Sequence, residues 1–218
     1  MQVEISIPSS LKEVKLKDYQ DYLTIEEPTE DDMLKCILNI NTKELGKIKD
    51  KDVENLLEII NNLFKKERKF IPQFKLNGVL YGFIPNLDEI TYGENKDVTA
   101  YIGDWKTMNK AMAVLFRPIK QKQNSKYLID DYEGSHNYSE VMKNMPLDVV
   151  LGAMVFFCNL TNALLKSIPN YLKEQAMKEQ MLGVISPENG EVIANYIALL
   201  KETLQDLKQL QNYPFINA

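Results

Sequence analysis

The clearest fold signal in this chain is the stretch FIPQFKLNGVLYGFI, residues 70–84. Two runs rich in aromatic and branched apolar residues flank Asn77-Gly78, and both residues of this dipeptide tolerate the positive φ of a tight turn. The stretch therefore predicts an antiparallel β-hairpin. Proline has no backbone N–H to give to a neighbouring strand, so Pro72 predicts that its strand lies at a sheet edge.

Helical patterns are predicted on both sides of this hairpin. Upstream, Thr29 is a good N-cap for a helix that runs to about Ile40. Apolar residues from Val53 to Phe64 recur at helical spacing and predict a second, stronger helix. Downstream, a short helix is expected over 94–101, and Asp104 is expected to cap the next one.

Three further segments complete the predicted elements. Alternating residues in 3–16, around the turn Pro8-Ser9-Ser10, indicate an N-terminal β-hairpin. The polar, basic run Lys120–Lys126 is expected to be a mobile loop before a short strand at 127–129. Pro146 suits the first position of a long apolar helix over 146–168, which Pro169 ends or kinks.

Together these elements indicate an α+β fold that is mostly α, a helical body with one or two small antiparallel β-hairpins. Residues 1–168 are expected to form a single domain containing the N-terminal hairpin, the helices, the central hairpin 70–84 and the buried helix 146–168. Residues 169–218 are predicted to form a C-terminal amphipathic helical segment. Its apolar columns indicate packing against its own domain or another chain.

Composition narrows the classes of partner. The 218 residues carry 26 Lys+Arg and 31 Asp+Glu, a formal charge of −5. This balance argues against broad binding to nucleic acid, which needs clustered basic residues. The most apolar run, 149–158, is shorter than the roughly 20 residues that span a bilayer. We therefore expect a buried helix there, and neither a membrane nor a nucleic acid as partner.

The two cysteines and the single histidine limit the chemistry further. Cys36 and Cys158 both fall in apolar helical patterns, which favours two buried thiols in a reducing compartment over a disulfide. His136 lies in a polar, loop-like setting and is interpreted as an exposed loop histidine. These scarce ligands disfavour zinc sites of the His/Cys type, and we expect no cofactor and no metal.

Acidic residues provide the remaining candidates for chemistry. The run Asp130-Asp131-Tyr132-Glu133 could meet Mg²⁺ or Ca²⁺, but it lacks the spacing of a known calcium loop, so a solvated turn is favoured. Asp88-Glu89 together with Glu94 could act as an acid pair, although helix capping is the favoured interpretation. No catalytic residue is assigned.

Two surfaces are candidates for binding a partner protein. The first is the edge strand around Pro72 and Phe74, which could accept an extended segment. The second is an apolar column on the last predicted helix, formed by Leu200, Leu204 and Leu207.

Three segments of the sequence carry a resemblance to a known group of proteins. They are ISIP at 5–8 with VKLKDYQDYL at 14–23, GFIPNLDEITYGE at 82–94 with its continuation to Ile119, and MPLDVVLGA at 145–153. These segments resemble proteins encoded by tailed bacteriophages, including crAss-like phages of gut bacteria. The layout of a β-hairpin followed by a helical body is similar to phage tail-assembly and baseplate-hub chaperones.

The resemblance implies a non-enzymatic protein that works by protein–protein binding in the host cytoplasm. As an assembly chaperone it would hold an aggregation-prone segment of a tape-measure or hub protein. A permanent virion component, such as a connector or packaged cargo, is the alternative, and homo-oligomerisation stays open. An enzyme using Asp88, Glu89 and Asp130 is the third hypothesis.

Overall fold

The computed structural model describes residues 5–163. The predicted end of the long helix at 164–168 and the segment 169–218, with Leu200, Leu204 and Leu207, lie outside the described residues. The described part is α+β and mostly α, as predicted. Within it, no helix combines the length and the apolarity that a bilayer crossing requires.

Eight α-helices, four strands and three 3₁₀ helices follow one another in the described part of the chain. In chain order they are α1 Leu16–Leu23, α2 Glu30–Leu38, α3 Thr42–Leu45, α4 Asp50–Phe64, β1 Gln73–Leu76, β2 Val79–Phe83, a 3₁₀ helix Leu87–Glu89, α5 Tyr92–Tyr101, a 3₁₀ helix Trp105–Thr107, α6 Met108–Leu115, β3 Phe116–Gln123, β4 Lys126–Ile129, a 3₁₀ helix Ser135–Asn137, α7 Ser139–Met142 and α8 over 147–163.

Side chains fix the starts of the first helices. The N–H of Asp32 donates to Thr29 Oγ1 at 3.2 Å, and the N–H of Thr29 donates to the Asp32 carboxylate at 3.1 Å. This reciprocal pair satisfies two amides that the helix itself leaves unpaired, so the predicted cap of α2 is confirmed. Asn41 caps α3 in the same way. Asn39, at φ 55°, ends α2 just before the expected boundary.

The four strands form one antiparallel sheet in the order β1-β2-β3-β4. The predicted central hairpin is confirmed, with Leu76 opposite Val79 and positive φ at Asn77 (49°) and Gly78 (84°). β1 lies at an edge of the sheet, as Pro72 predicted.

The predicted N-terminal hairpin is wrong for the described residues. Residues 5–8 form no strand, and Lys15 makes only an isolated bridge to Pro146. The N–H of Leu16 donates to the Met145 carbonyl at 2.9 Å, and the N–H of Leu147 donates to the Val14 carbonyl at 2.9 Å. The alternation therefore arises because this segment lies along the start of α8 and buries every second side chain there.

The predicted mobile loop at Lys120–Lys126 is also wrong. α6 passes directly into β3 at Phe116, and only Asn124 and Ser125 form the turn before β4. The short strand expected at 127–129 is confirmed within β4. The lysine and glutamine side chains of this hairpin are exposed. A strand that covers no core carries no apolar alternation, which explains why its sequence resembles a loop.

The core is centred on α6 and on the first half of α8. Met108, Met112 and Leu115 of α6 and Leu147 and Val150 of α8 are fully buried. Around them pack α1, α4, α7 and the inner face of the sheet.

Candidate partner-binding groove

A groove of about 1010 Å³ opens between the 83–89 segment, the β3–β4 hairpin and one side of α8. We call it the aromatic groove. Its floor is formed by Phe70, Phe83 and Phe156, and Pro72 and Leu128 also line it. Among the sequence-predicted partner-binding residues, Pro72 is thus placed on a concave surface, where it is exposed.

The floor is a packed set of rings. Phe70 and Phe156 stack with their centroids 4.5 Å apart and their planes 21° apart. Phe83 meets both edge-on, at 4.9 Å from Phe70 and 5.6 Å from Phe156. Phe83 is buried, whereas Phe70 and Phe156 are only half-buried. Part of this aromatic surface therefore remains accessible within the described structure.

The close approach of α8 to the chain segment after α4 positions two of these rings. A Cβ atom on Gly152 would collide with the backbone carbonyl of Lys69, so only glycine permits this crossing. Phe156 follows Gly152 by four residues and therefore lies on the same face of the helix. This places its ring against Phe70, the residue after Lys69.

The β3–β4 hairpin forms one wall of the groove because it folds over the sheet. A register shift between Ile119 and Gln121 bends the hairpin. The Tyr127 ring covers Gly82, where a Cβ would lie 2.5 Å from the ring, and the Tyr127 hydroxyl donates to the Phe83 carbonyl at 2.8 Å. Burial raises the pKa of Tyr127. A tyrosine hydroxyl is protonated at neutral pH even at its ordinary pKa, and the raised pKa keeps Tyr127 a donor to more alkaline pH.

Phe74, the other sequence-predicted residue of the edge strand, does not belong to an accessible surface. Its side chain is only 8% exposed, stacks on Tyr81 at 5.5 Å and meets Phe116 edge-on at 5.4 Å. The Phe74 side chain therefore offers a partner little accessible surface, and its role in partner binding stays a prediction. The cause is strand alternation, which turns Phe74 toward the core and Lys75 toward solvent.

The sequence-predicted acids lie in different settings. Asp88 and Glu89 line the aromatic groove. Asp130 is outside its lining and accepts a hydrogen bond from the Tyr138 hydroxyl at 2.6 Å. Asp131 pairs with Lys120 at 2.8 Å. The groove therefore does not unite the three acids of the enzyme hypothesis.

Glu94, which the sequence analysis considered together with Asp88-Glu89, is buried outside the groove. Its carboxylate accepts the N–H of Thr91 at 2.7 Å, which confirms a capping role, and it contacts Arg117 Nη1 at 2.5 Å. Burial favours a raised pKa, but the bonds from Thr91 and Arg117 outweigh it, so the pKa of Glu94 is lowered. Sequence reasoning found the cap and missed the ion pair, since nothing local links Glu94 to Arg117.

A tyrosine completes the surroundings of this ion pair. The Arg117 guanidinium lies 5.4 Å from the centroid of the Tyr132 ring, and the Tyr132 hydroxyl donates to the Asp97 carboxylate. Burial, followed by the Asp97 contact, raises the pKa of Tyr132 well above its usual range. These contacts join α5 to β3 and to the segment before α7. We therefore interpret them as contacts that hold the fold together.

His136 lies in the 3₁₀ helix Ser135–Asn137 and is exposed, as its polar sequence setting indicated. Within residues 5–163, no group of three or more histidine, cysteine, aspartate or glutamate side chains could hold a metal ion. Cys36 is half-buried and Cys158 is buried.

Comparisons with known proteins give no relative. No protein-family model matches the chain. No curated protein matches it. No solved structure matches it.

The groove's chemistry is mixed. Its apolar part consists of aromatic and aliphatic side chains, and its polar part consists of amides, two hydroxyls and three charged groups. Such a lining buries nonpolar surface of a ligand and supplies hydrogen bonds that fix its orientation.

Proposed function

We propose that this protein works by binding a segment of another protein in the aromatic groove, without making or breaking covalent bonds. The observation that carries the proposal is the partly exposed stack of Phe70 and Phe156. When a partner side chain covers aromatic surface that was in contact with water, the free energy of the complex is lowered. Such a patch, rimmed by polar groups, is typical of a protein-interaction site.

The sequence resemblance supplies the setting for this binding. In that setting the protein is a tail or baseplate assembly chaperone of a tailed bacteriophage, acting in the host cytoplasm. It would cover an apolar segment of a tape-measure or hub protein until the tail assembles. The resemblance of the three segments supports the phage setting, and the groove supports the binding of an apolar partner segment.

The substitution Leu128→Asp tests the groove directly. Leu128 is 62% exposed and lines the groove, so a carboxylate there should leave the fold intact and oppose the entry of an apolar segment. Val79→Asp is the matched control, because Val79 is 43% exposed and lies outside the groove lining.

The measurement is the soluble fraction of a co-expressed tape-measure or hub protein of the same phage. We expect Leu128→Asp to lower this fraction to the level seen without the protein, and Val79→Asp to leave it unchanged. Equal protection by both variants would contradict a role for the groove.

Mass spectrometry of purified phage particles separates this proposal from the alternative of a permanent virion component. A chaperone that leaves after assembly should be missing from the particles. Its presence at a fixed copy number would instead identify a connector or packaged cargo.

A further inference from the structure

We infer that the aromatic groove selects partner segments in which an arginine or lysine neighbours a large apolar side chain. This inference rests on the proposed function and adds the chemistry of the partner. It is argued from the charges at the groove and from their partners in the fold.

The charged residues of the groove lining are Asp88, Glu89 and Lys126. Neither acid forms an ion pair with any described residue, and Lys126 does not either. The N–H of Asp88 donates to Asn86 Oδ1 at 3.1 Å, a bond that holds the backbone of this turn and does not involve the Asp88 carboxylate. Within the described part of the chain, the groove lining therefore has an excess of negative charge without ion-pair partners, next to an aromatic floor.

Two neighbouring lysines of β3 are held by other partners. Lys120 pairs with Asp131 at 2.8 Å, and Lys122 keeps its positive charge but donates to the neutral Gln73 Oε1 at 2.7 Å. Neither of them lines the groove. Among residues 5–163, the lining thus contains two carboxylates and one ammonium that form no ion pair, which favours a cationic partner over an anionic one.

A basic side chain beside an apolar one fits both features of the groove. An arginine guanidinium pairs with carboxylates through a planar fork of N–H donors, and it also stacks on aromatic faces. A neighbouring leucine, methionine or phenylalanine can cover the exposed parts of Phe70 and Phe156. An acidic segment would gain only Lys126 and would be repelled by Asp88 and Glu89.

The test selects short random peptides from a display library on the immobilised full chain, followed by affinity measurements with one selected peptide. Four proteins are compared: the wild type, the double variant Asp88→Asn/Glu89→Gln, the control Glu54→Gln/Glu58→Gln, and the groove variant Leu128→Asp. The control removes the same charge from exposed positions of α4, outside the groove.

We expect peptides selected on the wild type and on the control to be enriched in arginine or lysine beside large apolar residues. On Asp88→Asn/Glu89→Gln the apolar enrichment should remain and the basic enrichment should disappear. The selected peptide should bind this variant about fivefold more weakly, which is the size expected for exposed ion pairs. Its affinity for the variant should also depend less on salt.

Several results would overturn the inference. Acidic or charge-neutral selected peptides would do so, as would basic enrichment that survives in Asp88→Asn/Glu89→Gln. If Asp88→Asn/Glu89→Gln shifts a monomer–dimer equilibrium in sedimentation, the groove binds a second copy of the chain instead. If the selected peptides are apolar, show no charge preference and lose binding on Leu128→Asp, only the inferred preference for basic residues is refuted. Peptides unaffected by Leu128→Asp would refute the proposed function as well.

Discussion

At the scale of single residues, the buried pair of Glu94 and Arg117 is the most consequential polar contact described. Glu94 is 4% and Arg117 5% exposed, so neither charge is well solvated by water. Removing one partner of such a pair leaves the other uncompensated, which costs about 3–5 kcal/mol. The pair therefore gives the fold a defined dependence on pH.

We expect Glu94→Gln to lower the free energy of unfolding by about 3 kcal/mol near neutral pH. The pKa of Glu94 is lowered in the folded state from its ordinary value of 4.5. Its stabilising contribution is thus present above that value and is lost as the pH falls through the lowered pKa. The difference between wild type and variant should shrink in acid, as measured by denaturant unfolding across a pH series.

Glu58→Gln is the control for this series, since Glu58 is exposed on α4 and makes no ion pair with a described residue. Its stability should follow the wild type at every pH. A Glu94→Gln deficit that stays constant down to strongly acidic pH would show that the lost interaction does not involve the ionised carboxylate.

At the scale of secondary-structure elements, the crossing of α8 over the segment after α4 decides where the groove forms. Gly152 meets the Lys69 carbonyl with no room for a side chain. Because the obstacle is backbone, it cannot move aside as a flexible side chain could. The crossing also sets the position of Phe156 against Phe70.

We expect Gly152→Ala to destabilise the protein by about 2–3 kcal/mol through overpacking, in spite of alanine's better helix propensity. Thermal or denaturant unfolding measures this change. Gly93→Ala in α5 is the matched control, since a Cβ there meets only the Tyr132 ring at 3.6 Å, an ordinary contact. A stabilised Gly152→Ala variant would mean that α8 does not cross so closely.

Elements with strong local signals could be predicted from the sequence. Asn77-Gly78 requires positive φ, and the Thr29 cap satisfies amides within three residues, so both features are encoded next to where they act. The β3–β4 hairpin was missed because its side chains face solvent and leave no apolar alternation. Residues 14–16 led to the wrong prediction of a hairpin, because their apolar alternation comes from packing against a distant segment, 145–147, and not from a neighbouring strand.

The groove was predicted only in part. Pro72 indicated an edge, and Asp88-Glu89 were considered together with Glu94 as an acid pair, although only Asp88 and Glu89 line the groove. The floor could not be predicted, because Phe70 and Phe156 meet only through the Gly152 crossing. No pattern within either segment records that contact.

At the scale of the whole molecule, burial divides the described chain into a rigid centre and an outer hairpin. Every residue from Ala111 to Leu115 is buried, whereas every residue from Lys120 to Lys126 is exposed. Regions with few buried apolar contacts open locally with a smaller free energy than the core.

We expect native-state hydrogen exchange to show this division. Amides of Ala111–Leu115 should exchange at the rate of global unfolding, and those of the β3–β4 turn with an opening free energy lower by roughly 3 kcal/mol or more. Asp88→Asn/Glu89→Gln is the control, because it alters no core contact, and the opening free energies of both regions should be unchanged in it. Equal protection of the two regions would contradict a separately opening hairpin.

The bridge between Lys15 and Pro146 has a consequence for the order of events during translation. The backbone carbonyls that receive the amides of Leu16 and Lys17 belong to Met145 and Lys143, which the ribosome adds far later. The nonpolar side chains of Val14 and Leu16 must therefore wait without their final neighbours while the intervening chain is made. Until residues 143–147 have been made, these nonpolar side chains stay available for contact with other nonpolar surfaces in the cell.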